Sequence, residues 1–181
     1  MLHRSRQAEL LVVGSRGLGE VGGLLLGSVG ARLGTEAACP VVVVRGPGTP
    51  RGPVVVGIAG HIAGHGESEA LLAFAFPYAA RTANALTLAH VSADGSADPS
   101  RSALTERTLA LWRERLPAVT IVQESLTGHP GKALMRAASQ ASLLVVGSHH
   151  RHELSALMHG SVSQAVLHHA ACPVAIIQQT S

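Results

Sequence analysis

The chain is 181 residues long and 46% apolar, enough material for one large buried core or for one domain plus a piece of another. Only 14% of residues are charged and four are aromatic; the net charge is +3 and no Lys/Arg run occurs, which argues against nucleic acid as a partner. No apolar stretch approaches the roughly 18 residues of a membrane helix, and MLHRSRQAELLVV lacks the apolar length and cleavage pattern of a signal peptide.

In chain order, MLHRSRQ reads as the tail of a helix, and LLVV (10–13) as a short buried strand ending in Gly14-Ser15. Gly27-Ser28 then opens a helix, with Ser28 as its N-cap, and VVVV (41–44) follows Pro40 as a second strand. Residues 46–53 (GPGTPRGP) hold six Gly or Pro in eight positions and read as a linker. Beyond it the pattern predicts a strand at 54–58, a helix over about 67–83 and a strand at 86–91. A polar loop (92–100), a helix over about 101–116, a strand at 119–124 and a helix over about 130–141 come next. Leu71, Phe74, Ala75 and Tyr78 share a face of the first of these helices, where Pro77 should introduce a kink. Leu104, Thr108, Leu111 and Trp112 share a face of the next, and Leu134, Ala137, Ala138 and Ala141 of the last.

Residues 141–178 then repeat residues 8–45 at a constant offset of 133. Seventeen of 38 positions are identical without a gap, in blocks LLVVGS, GSV and AACPV. Ser161 repeats the N-cap of Ser28, and Val162, Ala165, Val166 and His169 form an apolar stripe on the helix it opens. The chain is therefore one and a half copies of a unit: a fragment of a first copy (1–45), a linker (46–53) and a complete second copy (54–178). Alternating strands and helices with an aliphatic core predict an α/β fold, a doubly wound five-stranded parallel sheet preceded by a partial strand–helix–strand copy. The fragment lacks three strands of apolar surface, so it must dock on the complete copy or on another chain. Its boundary falls in mid-helix, and we expect Met1 to lie inside a longer tandem reading frame. Cys39 and Cys172 occupy twin positions; they read as small buried hydrophobes in a reducing, cytoplasmic compartment rather than as disulfide partners.

In each copy a strand ends in Gly-Ser and a helix begins thirteen residues later at a second Gly-Ser. Helix N-termini beyond the carboxyl ends of parallel strands collect anions, and glycines let a phosphate approach the backbone. The first copy spells Gly14, Gly17, Gly27, Ser28, a G-x2-G-x9-G-S pattern that is neither a Walker loop nor a dinucleotide fingerprint. The pattern resembles the nucleotide-binding motif of the universal stress protein family, and VVVGI, Gly128-His129-Pro130 and the Cys-Pro-Val strand agree. The resemblance covers 8–45 as the last part of a first domain and about 53–178 as a whole second one. It implies an adenine nucleotide alpha hydrolase-like, Rossmann-like fold, and a homodimer or an intrachain pair of domains. It further implies that some members bind ATP at this loop, while others lack nucleotide and act through partners or dimerisation.

Carried over by position, the resemblance assigns Gly147, Ser148, His149, Gly160, Ser161, Val162 and Ser163 to nucleotide in the second copy, and Gly14, Gly17, Gly27 and Ser28 in the first. Two departures stand out: His150 replaces the middle glycine, and Ala59 stands where the family's first strand ends in an acidic residue. His149, His150, His152, His168 and His169 lack a ligand spacing for a metal, and no nucleophile–base arrangement is visible, so neither a metal site nor an enzyme is expected. Three readings stay open: a stress-associated regulator binding ATP or another adenine nucleotide, an interaction or dimerisation module of the same fold, and, least supported because no general base is visible, a slow ATPase.

Overall fold

Short runs of Val, Leu and Ile become strands because β-branched side chains pack well on a pleated surface covered from both sides. In the computed structural model, which describes residues 2–14, 33, 36–45, 49–59, 65–92, 99–148 and 161–178, the first copy supplies α1 (Leu2–Ser5), β1 (Leu11–Gly14) and β2 (Val41–Val44). The rest of the chain supplies β3 (Val54–Ala59), α2 (His65–Thr82), β4 (Leu86–Ser92), α3 (Pro99–Arg115), β5 (Ile121–Thr127), α4 (Pro130–Ala137), β6 (Leu143–Gly147), α5 (Ser161–His169) and β7 (Val174–Ile177).

The described strands form one sheet in the order β1-β2-β7-β6-β3-β4-β5. From β7 to β5 all neighbours are parallel, giving the five-stranded doubly wound arrangement that the alternating pattern predicts. Strands β1 and β2 are parallel to each other, but β2 joins β7 antiparallel, with Val41 opposite Ile176, Val42 opposite Ala175 and Val43 opposite Val174. Val42 and Ala175 are equivalent positions of the repeat, so this junction has a local two-fold axis through the pair. The seven-stranded sheet thus joins the two similar segments, 8–45 and 141–178, through their last strands.

Two apolar clusters cover the two faces. On one, Val55, Val146, Val174 and Ile176 pack with Leu134 of α4 and Val166 of α5, and the first-copy residues Leu33, Ala37, Val41 and Val43 belong to the same cluster. On the other, Val54, Val56, Leu86, Leu88, Val145 and Ile177 lie under α2, with Leu109 and Trp112 of α3 at the flank. Each fully buried Leu, Ile or Phe contributes roughly 1.5–3 kcal/mol relative to an exposed one. Phe76 and Trp112 stack at 5.2 Å between centroids, pinning α2 to α3.

Several sequence expectations shift. The buried face of α2 centres on Leu72, Phe76 and Ala79, while Phe74 and Tyr78 are half-buried. On α3 the buried residue is Leu109, and Leu111 is 58% exposed. On α5, Val166 and Leu167 are buried and His169 is exposed. Strand β5 begins two residues later than expected because the Val119 N–H is spent on the Leu116 carbonyl in the turn that ends α3 (3.1 Å). Helix α4 stops at Ala137, not 141: the Ala138 N–H still bonds Leu134 O, after which the chain turns and the Ser142 N–H reaches Pro53 O. Helix α2 runs through Pro77 without ending.

The linker is bolted down where it is described. Asn84 donates through Nδ2 to Pro50 O (3.0 Å) and to Ser142 Oγ (3.1 Å), and Ser142 Oγ in turn lies 3.3 Å from Pro53 O. Gly52 lies against the Gln140 carbonyl so closely that no Cβ fits. Arg45, at the end of β2, is 7% exposed and donates to Ala170 O at the C-terminal end of α5 (3.3 Å). Its charge there complements the negative end of the helix dipole across the junction between copies. Cys39 and Cys172 are free thiols and buried, as the twin AACPV blocks suggest.

Candidate functional site

In an open α/β sheet ligands sit beyond the carboxyl ends of the strands, where the strand order reverses. Here that switch point lies between β3 and β6: from β3 the chain steps outward to β4 and β5, from β6 to β7. Among the described residues the β3–β6 pairing ends at Val56 opposite Val145, although β3 continues to Ala59 and β6 to Gly147. On their other sides both strands remain paired to the end, Ala59 with Val91 and Gly147 with Ile177. Backbone pairing between β3 and β6 thus stops before the last three residues of β3, although Gly57 still lies beside Val146, and this end of the switch point is the candidate crevice.

Helices pack near this crevice beside two glycines. A Cβ on Gly57 would stand 2.8 Å and 2.9 Å from the two δ carbons of Leu134, so any larger residue there makes the end of the Leu134 side chain shift. A Cβ on Gly131 would stand 3.2 Å from the Ala165 Cβ, so the first turn of α4 packs closely against the middle of α5. Neither helix carries an acidic residue in its first turn. Both helices follow strands that run the same way in the sheet, so their N-termini face the same end of it, with partial positive charge and no acidic residue in either first turn. Before α4, Gly128 adopts φ of +105°, which favours glycine, and donates its N–H to Ser92 O (3.1 Å); Pro130 occupies the first turn, where its missing N–H costs nothing.

The sequence-assigned residues fall into place unevenly. Gly147 ends β6; Ser148 is buried and its N–H donates to Ile177 O (2.9 Å). Ser161 is the first residue of α5, and Val162 packs half-buried against the core. Ser163 donates through Oγ to Gly147 O (3.0 Å), tying the first turn of α5 to the strand sixteen residues earlier. His149 and Gly160 lie outside the described residues, as does His150. In the first copy Gly14 is the exposed end of β1, and Gly17, Gly27 and Ser28 lie outside the described residues. Because β2 runs antiparallel to β7, Gly14 and Gly147 point to opposite ends of the sheet and do not share a site.

Ala59 does end β3, at the lip of the crevice, and supplies no carboxylate. On β4, His90 is held below the usual imidazole range by burial, with Glu106 of α3 pulling the other way. Glu106 accepts from Gln123 Nε2 (2.6 Å) and pairs with Arg113 (3.4 Å), an exposed pair that contributes little. Among the described residues no group of three His, Cys, Asp or Glu side chains could hold a metal. Also among them, no helix is long and apolar enough to cross a membrane. The residues that sequence reasoning missed are Gly57, Gly131 and their contacts; the only signal was a glycine inside an otherwise β-branched run.

The family model described as the universal stress protein family matches residues 2–45 and 51–178, nearly the whole chain. The chain belongs to the universal stress protein family. Universal stress protein Rv2005c of Mycobacterium tuberculosis is 36% identical over 197 aligned positions, covering 99% of this chain and 65% of the relative. A universal stress protein of Mycolicibacterium smegmatis is 37% identical over 194, covering 98% and 64%. The chain thus spans about two thirds of the length of these curated relatives. Among solved structures, a universal stress protein from Archaeoglobus fulgidus superposes with a TM-score of 0.73 at 20% identity, over 99% of this chain and 64% of that one. A universal stress protein crystallised in complex with cAMP superposes with a TM-score of 0.55 at 21% identity, over 72% of this chain and 99% of that one. These likenesses agree with the α/β fold of mostly parallel strands.

Proposed function

We propose that this universal stress protein is a regulatory, non-catalytic protein of the cytoplasm whose second-copy crevice binds ATP or another adenine nucleotide. The observation that carries the reading is the end of β3–β6 pairing next to the first turn of α5, which Ser163 fixes to Gly147. Phosphate would sit against the free N–H groups of Ser161, Val162 and Ser163, and the base in the cleft between Ala59 and Gly147. Gly160 and His149 would border the phosphates. The solved relative in complex with cAMP supports an adenine nucleotide as the ligand class. The division into a first-domain fragment (1–45), a linker (46–53) and a complete domain (54–178) belongs to the same proposal, with β2 and β7 as the seam between them.

Calorimetric titration with ATP tests it directly: saturable heat is expected, weakened by Gly160→Val combined with Ser161→Ala. No heat at millimolar ATP would overturn nucleotide binding. A second reading, a dimerisation or interaction module without nucleotide, is favoured by Ala59, since a methyl group stands where a carboxylate would hold the ligand's hydroxyl groups. Under that reading ATP gives no heat, and native mass spectrometry shows no retained nucleotide and a dimer.

A further inference from the structure

Away from the junction between copies, the turns that lead from α2 to β4 and from α3 to β5 enclose a cleft of about 270 Å³. Its volume lies just below the range of about 300–1,000 Å³ in which proteins hold drug-sized molecules. The walls are mostly apolar: Ala79 and Ala80 at the end of α2, Ala83 in the turn, and Leu116, Ala118 and Val119 facing them. Ala83 takes a backbone conformation that favours glycine. The Asn84 N–H donates to Ala79 O (3.1 Å) and the Ala83 N–H to Ala80 O (3.3 Å), a helix end that sets Ala83 at φ of 53°. Glycine there would relieve the strain and remove a methyl group from the cleft wall. The backbone around the cleft is largely satisfied: the carbonyls of Ala79, Ala80, Ala85, Leu116 and Thr120 each accept a backbone N–H. Asn84 Nδ2 is engaged with Pro50 O and Ser142 Oγ. Among the described residues, the charged group lining the cleft is Arg115, exposed and with its guanidinium carbon 5.7 Å from the centroid of Trp112, and no acidic residue lines it.

We propose that this cleft binds a small monocarboxylate with an apolar body, either a short alkyl chain or a single ring. The body packs against the alanine methyl groups and Leu116, and the carboxylate pairs with the Arg115 guanidinium, whose planar fork of donors matches two carboxylate oxygens. The lining selects this class. A cation meets Arg115 and carbonyls that are already engaged, a neutral apolar molecule leaves the guanidinium without a partner, and a sugar or polyol finds few polar groups to bond. Arg115 reports on the site because it lies over Trp112, which in turn stacks on Phe76 at 5.2 Å. The cleft is also distinct from the nucleotide crevice. It lies at the amino ends of β4 and β5, whereas the crevice lies at the carboxyl ends of the strands, and the seven residues of β4 alone span on the order of 20 Å. The proposal therefore stands independently of nucleotide binding.

The test titrates the full chain with sodium octanoate, read by calorimetry and by the fluorescence of Trp112, the one tryptophan in the sequence. Saturable one-to-one binding is expected with a Kd of about 1 mM or tighter, and octanol should bind about tenfold more weakly. Arg115→Gln should weaken octanoate about tenfold, with Arg115→Lys recovering part of the loss. Ala80→Leu, at an exposed helical position, fills the cleft and should abolish saturation while the unfolding midpoint stays near that of the parent. Ala83→Gly should raise the midpoint and weaken octanoate about three- to fourfold, the loss of one methyl contact. Those two shifts separate lining from folding. Gly160→Val combined with Ser161→Ala should leave octanoate binding unchanged. Absence of saturation at about ten times the expected Kd, equal affinity for octanol and octanoate, or binding indifferent to Arg115→Gln or to Ala80→Leu would overturn the proposal.

Discussion

Gly57 shows how one missing side chain leaves room for Leu134 beside the crevice. A Cβ there meets the branched end of Leu134 below 3.0 Å, with Val146 Cγ1 at 3.3 Å on the other side. Gly57→Val should overpack the site, costing roughly 1–3 kcal/mol in urea unfolding and weakening ATP binding if α4 is displaced. Cys172 gives a pH prediction. Burial pushes its thiol up to about 11 from an ordinary value of 9.0, with backbone hydrogen bonds and the nearby Arg45 opposing the shift. The folded state keeps its proton where the unfolded state has lost it, so stability is present below pH 9 and falls as pH rises toward 11. The loss should be on the order of 2 kcal/mol, and Cys172→Ala should remove most of that slope, Cys39 contributing a smaller one of the same sign. Arg45 is the other unusual buried group: its Nε has no partner and burial lowers its pKa. Arg45→Met should leave stability near that of the parent, because a well-packed apolar chain relieves the desolvation cost that one hydrogen bond to Ala170 O offsets.

At the scale of elements, the strand–loop–helix of the second copy depends on small polar ties. Ser163→Ala removes the bond to Gly147 O and should cost about 0.5–1.5 kcal/mol, with a larger proportional loss in ATP affinity as the first turn of α5 loosens. The two readouts separate positioning from folding. The linker is held by a different kind of tie, in which the Asn84 side chain serves the Pro50 carbonyl and the Ser142 hydroxyl together. Asn84→Ala leaves Pro50 O without its buried donor and Ser142 with one partner fewer, so a loss of roughly 1–3 kcal/mol is expected by thermal unfolding. Much of this level was legible in the sequence. LLVV, VVVV and VVVGI are strands because aliphatic β-branched runs between Gly and Pro have few alternatives. The ends of β5 and α4 were not legible, since they are set by the Val119 turn and by the packing of Gly52 against Gln140.

At the scale of the molecule, the first-copy residues are a structural part of the second copy's core. Val41 and Val43 are fully buried in a cluster that also holds Leu134, Val166 and Ile176. Val43→Ala should therefore destabilise the whole chain by roughly 1–3 kcal/mol, moving Trp112 fluorescence and far-ultraviolet circular dichroism together in one transition. Separate transitions for the two signals would show that the two copies unfold independently.

The duplication, the strand–helix alternation, the aliphatic core and the family were all determined by the sequence alone, because each is a matter of periodicity or of residue identity at fixed spacing. The candidate loop residues were readable for the same reason. Only the tertiary structure decided that β2 and β7 pair antiparallel, and so that Gly14 and Gly147 face opposite ends of the sheet. It also decided that β3 and β6 stop pairing before their ends, and that identical residues are buried at 143 and 145 and exposed at 10 and 12. Those outcomes depend on what lies beside each strand, and burial is a property of neighbours in space rather than of the residue itself.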